Sequence, residues 1–151
     1  MAKKNADASY NTNLASEYLM MSLLCRAGKD AYLSLGNKKG VDIVITSKLG
    51  GYVLLEVKGV NENMDWMIGN TGILPTAPNL FYALVGFESQ IRDVNHPAKY
   101  YIIPSEKLEV ATEHKIAGNE KTVYLSHKYI RENYSAYLNT FMWLDEYLKN
   151  N

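Results

Sequence analysis

Over residues 13–26 apolar side chains return every three or four positions: Leu14, Tyr18, Met21 and Cys25, with Met20 and Leu24 beside them. That period predicts a helix with this stripe turned inward. Asn11, Thr12 or Asn13 is placed to cap its start, and Gly28 follows its end. The pattern then changes. Residues 31–35, 41–46 and 52–58 are short apolar runs of strand character, with turn signals at Gly36-Asn37-Lys38-Lys39-Gly40 and Ser47-Lys48-Leu49-Gly50-Gly51 between them. Residues 61–79 keep no period and contain Gly69, Gly72, Pro75 and Pro78, which predicts a long mobile or extended loop. Strand patterns resume at 80–87 and 100–103. Pro104-Ser105-Glu106-Lys107 then reads as a helix start, and 126–149 as one or two helices carrying Tyr129, Tyr137, Leu138, Phe141, Leu144 and Leu148. One helix, five strands and terminal helices predict an α/β or α+β sheet covered by helices, forming one domain over residues 1–151.

The second and third strand runs carry the chemistry. Val41, Ile43 and Ile45 alternate with Asp42, Val44 and Thr46, and Val53, Leu55 and Val57 alternate with Tyr52, Leu54, Glu56 and Lys58. If the two runs pair as a hairpin with their purely apolar faces matched, Asp42, Glu56 and Lys58 fall together on the opposite face. Loop length decides this. A two-residue turn at Gly50-Gly51 puts Asp42 on the wrong face, whereas a three-residue loop pairing Ser47 with Gly51 sets Asp42 opposite Glu56, and a bulge serves for other loops. Carboxylates opposed at that distance repel unless a cation lies between them or one is protonated. Mg²⁺ suits the arrangement, because it takes one or two carboxylates and completes its shell with waters and a phosphate. Lys58 is then placed to balance charge and to orient or help deprotonate a water. Glu17, on the expected inward stripe of the first helix, needs a cation or strong donor of its own.

Val41-Asp42-Ile43-Val44-Ile45, a short loop, and Leu55-Glu56-Val57-Lys58-Gly59 together resemble the core signature of the PD-(D/E)XK nuclease superfamily. The resemblance implies the restriction-endonuclease-like core, a central mixed five-stranded sheet with an N-terminal helix and C-terminal helices. It implies Asp42, Glu56 and Val57 at a Mg²⁺ or Mn²⁺ ion, Lys58 as the catalytic lysine, and Glu17 as the helix-borne glutamate of many members. Asn79-Leu80-Phe81-Tyr82-Ala83-Leu84-Val85 and Tyr100-Tyr101-Ile102-Ile103-Pro104-Ser105 look like the closing strands of small bacterial members, so the likeness covers roughly two thirds of the chain, from about Leu14 to Leu108. The chain departs from the pattern in two places. Val41 stands where the family has proline, and residues 61–79 lack the helix usual between the third and fourth strands.

Charge adds a little to this. The whole chain is neutral, with 16 basic and 16 acidic groups, which speaks against tight nucleic-acid binding by bulk charge. Residues 1–60 nevertheless hold a net +3 against −3 for the rest, and Asp42, Glu56 and Glu17 are three of their five acids. Lys38 and Lys39 either contact phosphates or form a plain solvated turn. Trp66 either stacks on bases or is buried beneath its loop. Cys25 is the single cysteine, read as a buried thiol, and with no disulfide to form it suits a reducing cytoplasm. His96, His114 and His127 are scattered and read as surface residues. The N-terminus is polar, and no apolar run approaches the ~18 residues of a membrane helix.

The expected function is that of a cytoplasmic Mg²⁺-dependent endonuclease, a hydrolase of DNA phosphodiester bonds; a defence or repair role follows from the resemblance. A homodimer would supply two sites for two strands. The alternatives are a catalytically silent nucleic-acid- or protein-binding module on the same fold, or a subunit of a larger defence or repair assembly.

Overall fold

The computed structural model describes residues 2–35, 40–68, 73–108 and 123–151. The first helix, α1 (Ala2–Arg26), begins well before Asn13 and passes through the polar Asn-Thr-Asn cluster. Thr12 does not cap it. Its hydroxyl donates to the Ala8 carbonyl at 2.9 Å, one turn back, so the helix continues. The end is as expected: Gly28 has φ 71°, its N–H donates to the Cys25 carbonyl, and the Lys29 N–H donates to the Leu24 carbonyl. This is a Schellman stop, which leaves the helix's last carbonyls satisfied.

The buried stripe of α1 is rotated from the expected one. Thr12, Ser16, Met20 and Leu24 are buried, whereas Tyr18 and Cys25 are exposed. The Cys25 thiol is therefore a surface group and not a core one. Ser16 tolerates burial because its hydroxyl donates to the Thr12 carbonyl at 2.7 Å. The small side chain is needed there, since a Cβ on Gly59 would overlap the Ser16 hydroxyl. Helix and sheet touch backbone to backbone at this point.

The central sheet has the order β1-β2-β3-β5-β6. Its strands are β1 (Asp30–Leu33), β2 (Ile43–Thr46), β3 (Tyr52–Val60), β5 (Leu80–Gly86) and β6 (Lys99–Pro104). β3 and β5 are parallel and the other neighbours antiparallel, so the sheet is mixed, as expected. β5 is buried along its whole length, which suits a central strand covered on both faces. Val53, Leu55 and Val57 of β3, with Phe81, Ala83 and Val85 of β5, meet Met20 and Leu24 of α1 and Leu144 of α3 (Met142–Asn150). A Lys29–Asp145 ion pair ties the end of α1 to α3.

The opposite face of β5 and β6 is covered by a second, two-stranded sheet. It joins β4 (Trp66–Ile68) to β7 (Val123–Leu125), and α2 (His127–Asn133) packs beside it. The 61–79 segment thus contains a strand where a loop was expected, and β6 is not the last strand. Pro104 does precede a helical start, a single 3-10 turn over Ser105–Lys107, and Ser126 caps α2 by accepting the Tyr129 N–H. No helix among the described residues is long and apolar enough to cross a membrane.

Candidate metal centre

The β2–β3 loop has the length on which the site depends. Thr46 pairs with Tyr52, the Ser47 N–H donates to the Gly51 carbonyl at 2.8 Å, and Lys48, Leu49 and Gly50 form the bend. The Ser47 hydroxyl accepts the Leu49 N–H at 3.1 Å, and Gly50 takes φ 92°, a conformation that favours glycine. The last regular pair is Ile43 with Leu55, so Asp42 stands one step further on, against Glu56 and Val57.

At Asp42 the strand peels away. Its N–H donates to the Leu55 carbonyl at 3.0 Å, and its Oδ2 accepts the Val57 N–H at 2.6 Å. The carboxylate occupies the place where a continuing strand would offer a main-chain carbonyl. Asp42 therefore lies along the edge of β3, while Glu56 and Lys58 alternate onto the face they share with Leu54. A strand residue sends its N–H and C=O towards the same neighbour. The Val57 carbonyl accordingly leaves β3 on the Asp42 side, although its side chain is in the core.

Glu56 is only 5% exposed, and its Oε1 lies 2.8 Å from the Lys58 Nζ. Two neighbours of Glu56 carried no signal in the sequence. A Cβ on Gly40, at φ 93°, would come within 3.8 Å of Glu56 Oε2, so the backbone before Asp42 passes beside that carboxylate. Tyr82, across the parallel register from Glu56, is fully buried and donates its hydroxyl away, to the Pro75 carbonyl at 2.8 Å. Burial first and the Glu56 charge second raise the Tyr82 phenol, so it stays a neutral wall of the site.

Burial pushes the Asp42 carboxyl up from its ordinary range; the Val57 N–H and Lys58 pull it down, and Glu56 pushes it up again. Glu17 is also raised, by burial and then by Asp42, with Lys58 opposing. Ser16 seated on Gly59 is what brings its neighbour Glu17 into the field of Asp42 and Lys58. Among the described residues no group of three or more His, Cys, Asp or Glu side chains is close enough to hold a metal ion. Glu17 thus borders the pair. Two carboxylates with a backbone oxygen on the same side would suit Mg²⁺ or Mn²⁺, since these keep most of their shell for water and phosphate. A cation there would also offset the burial, and the smaller push from Glu56, that raise Asp42.

The remaining expected contacts fall elsewhere. Lys38 and Lys39 lie outside the described residues, as does His114. Trp66 is 1% exposed; its indole N–H donates to the Val85 carbonyl at 3.0 Å, and His127 stacks on its ring. It is a core residue, with no open ring face for a base to stack on. His96 and His127, expected at the surface, are half-buried there and engage Glu88 and Trp66.

No family model, curated protein or solved structure matches this chain.

Proposed function

We propose that this protein is a metal-dependent nuclease that hydrolyses phosphodiester bonds of DNA, acting in a reducing cytoplasm. One observation carries the reading: Asp42 stands against Glu56 at the point where β2 leaves β3, with the Lys58 ammonium 2.8 Å from Glu56. Asp42 and Glu56, with the Val57 carbonyl beside them, would hold Mg²⁺ or Mn²⁺. The ion would supply charge for the phosphate and acidity for an attacking water. Lys58 would orient that water and balance charge as the new P–O bond forms and the ester P–O bond opposite it breaks, the leaving oxygen taking a proton from solvent. Glu17, on α1 at the border of the pair and within the field of Asp42 and Lys58, would take up the water's proton through solvent.

The experiment is plasmid cleavage with Mg²⁺ or Mn²⁺, with melting measured in the same buffers. Lys58→Ala is expected to lower turnover by about 10²–10⁴-fold with little change in DNA affinity, because its role lies in the chemical step. Asp42→Asn is expected to lose both cleavage and the metal's effect on melting.

One feature favours the silent module instead. Both carboxylates already have partners, Val57 N–H for Asp42 and Lys58 for Glu56. A parent that binds DNA in a salt-dependent way, never cleaves, and melts identically with and without metal would establish that reading. Cleavage only after a partner is added would place the chain in a larger assembly.

A further inference from the structure

Beyond β5 the chain makes an unusual turn. Glu88 has φ 51° and Ser89 φ 66°, two successive non-glycine residues in the left-handed region. The turn is held by the Phe87 N–H on the Val60 carbonyl and by Asn61, whose main-chain and side-chain oxygens accept the Ser89 and Ile91 N–H groups. Strain of this kind persists only where the surroundings enforce it, and it concentrates at binding sites. Here it turns Glu88 towards a cavity of about 140 Å³ at the ends of β5 and β6.

Trp66, Tyr101 and Leu138 are among the apolar residues lining this cavity; Lys99, His127 and Arg131 bring nitrogen groups to it. The lining is stiff. Trp66 is fixed by its bond to Val85, stacks on His127 with centroids 5.0 Å apart, and meets Tyr101 edge-on. Glu88 spends both carboxylate oxygens, one on Lys99 at 2.5 Å and the other on His96 at 3.3 Å. Arg131, exposed on α2, has no carboxylate partner among the described residues. The cavity is well below the ~300–1,000 Å³ that encloses a whole drug-sized ligand, so it takes one small group. A stiff apolar floor, an ammonium held by Glu88 and a guanidinium with no carboxylate partner among the described residues suit a phosphate, whose oxygens match the guanidinium fork.

We propose that this cavity is a phosphate-binding subsite, filled by a phosphate of a polynucleotide. It needs no metal. In the sheet, the Gly86–Lys99 pair follows two residues after the Leu84–Lys58 pair, so the cavity is about 14 Å along the strands from Glu56. Phosphate binding stands on the cavity alone; its use in holding a strand a few nucleotides from the cleaved bond rests on the nuclease reading.

The test is fluorescence anisotropy of a labelled single-stranded oligothymidylate in EDTA, over a salt series, with inorganic phosphate and thymidine monophosphate as competitors. Arg131→Ala is expected to weaken binding about fivefold and to flatten the slope of log K against log salt by about 0.7, the share of one lost phosphate contact on a single strand. Lys99→Ala should act in the same direction, and Arg92→Ala, away from the cavity, should leave both unchanged. Competition by thymidine monophosphate as strong as by unlabelled oligonucleotide would support the subsite with free nucleotide as its occupant. Affinity and slope unchanged in both Arg131→Ala and Lys99→Ala would overturn it. Cleavage is read separately. A parent that binds through Arg131 but never cleaves sinks the nuclease reading alone, and one that cleaves while Arg131→Ala binds normally sinks the subsite alone.

Discussion

Two carboxylate–lysine clusters occupy this sheet, and their acids respond in opposite ways. At the end of β5, Glu88 accepts from Lys99 and faces His96, and these partners hold its carboxyl below the usual range. At the start of β2, burial holds Asp42 above the usual range although Lys58 and the Val57 N–H oppose it. The difference lies in water and in like charge. Burial is the largest influence on Asp42 and a lesser one on Glu88, which has Lys99 and His96 as partners, whereas Asp42 stands beside a second carboxylate, with Glu17 nearby. The first cluster is satisfied as it stands. The second sets Asp42, Glu56 and the neighbouring Glu17 against the single cation Lys58, which is why the metal is proposed there and not at Glu88.

The largest expected effect breaks the comparison by moving α1. Gly59→Val forces a side chain into Ser16 and should cost about 3 kcal/mol or more in urea unfolding, with loss of any metal response. Gly59→Ala with Ser16→Gly should recover most of what Gly59→Ala loses, a coupling that a double-mutant cycle reads directly. Next in size is the metal itself. Mg²⁺ at a hundredfold excess over its Kd should stabilise the parent by about 3 kcal/mol, the Glu88→Gln variant equally, and Asp42→Asn hardly at all.

Acid titration of the metal-free protein sharpens the contrast through sign. Folded Asp42 binds its proton more tightly than the unfolded chain does. Stability should therefore fall as pH rises from the ordinary value of 3.8 through the raised one, and Asp42→Asn should remove that fall. Glu88 works the other way. Its folded value is lowered, so its contribution is present above 4.5 and is lost as pH drops through the folded value. Urea midpoints across this range should show the two slopes separately in the two variants. The smallest effect is Glu88→Gln at neutral pH, a loss of about 0.2–1 kcal/mol because the pair is solvent-exposed.

What could be read in advance follows from range. The β2–β3 hairpin is local, and its apolar alternation together with the Ser47–Gly51 loop leaves one pairing that keeps valines and isoleucines dry. The position of Asp42 against Glu56 came from that. The buried stripe of α1 was not legible, because its deciding contact is between Ser16 and Gly59, 43 positions apart, and rewards a small hydroxyl over a large apolar group. β4 and β7 are three residues each and pair across more than 50 positions, so neither carries a period of its own. Trp66 took its role from that pairing, and no pattern around it distinguishes a core tryptophan from a base-stacking one. The peeling of Asp42 into the sheet edge is likewise a three-dimensional event at a strand end, invisible to alternation.

The three-residue bend of Lys48, Leu49 and Gly50 has a bearing on how this gene can change. Point substitutions at Lys48 or Leu49 touch exposed side chains and should pass unnoticed. Insertion or deletion of one codon there is a different event: it shifts β2 by one position against β3, turns Ile43 and Ile45 towards solvent, and carries Asp42 away from Glu56. A library of substitutions and single-codon deletions across the hairpin would therefore show Lys48 and Leu49 open to substitution, Gly50 held to glycine by its φ of 92°, and no change in length tolerated, although none of these side chains belongs to the site.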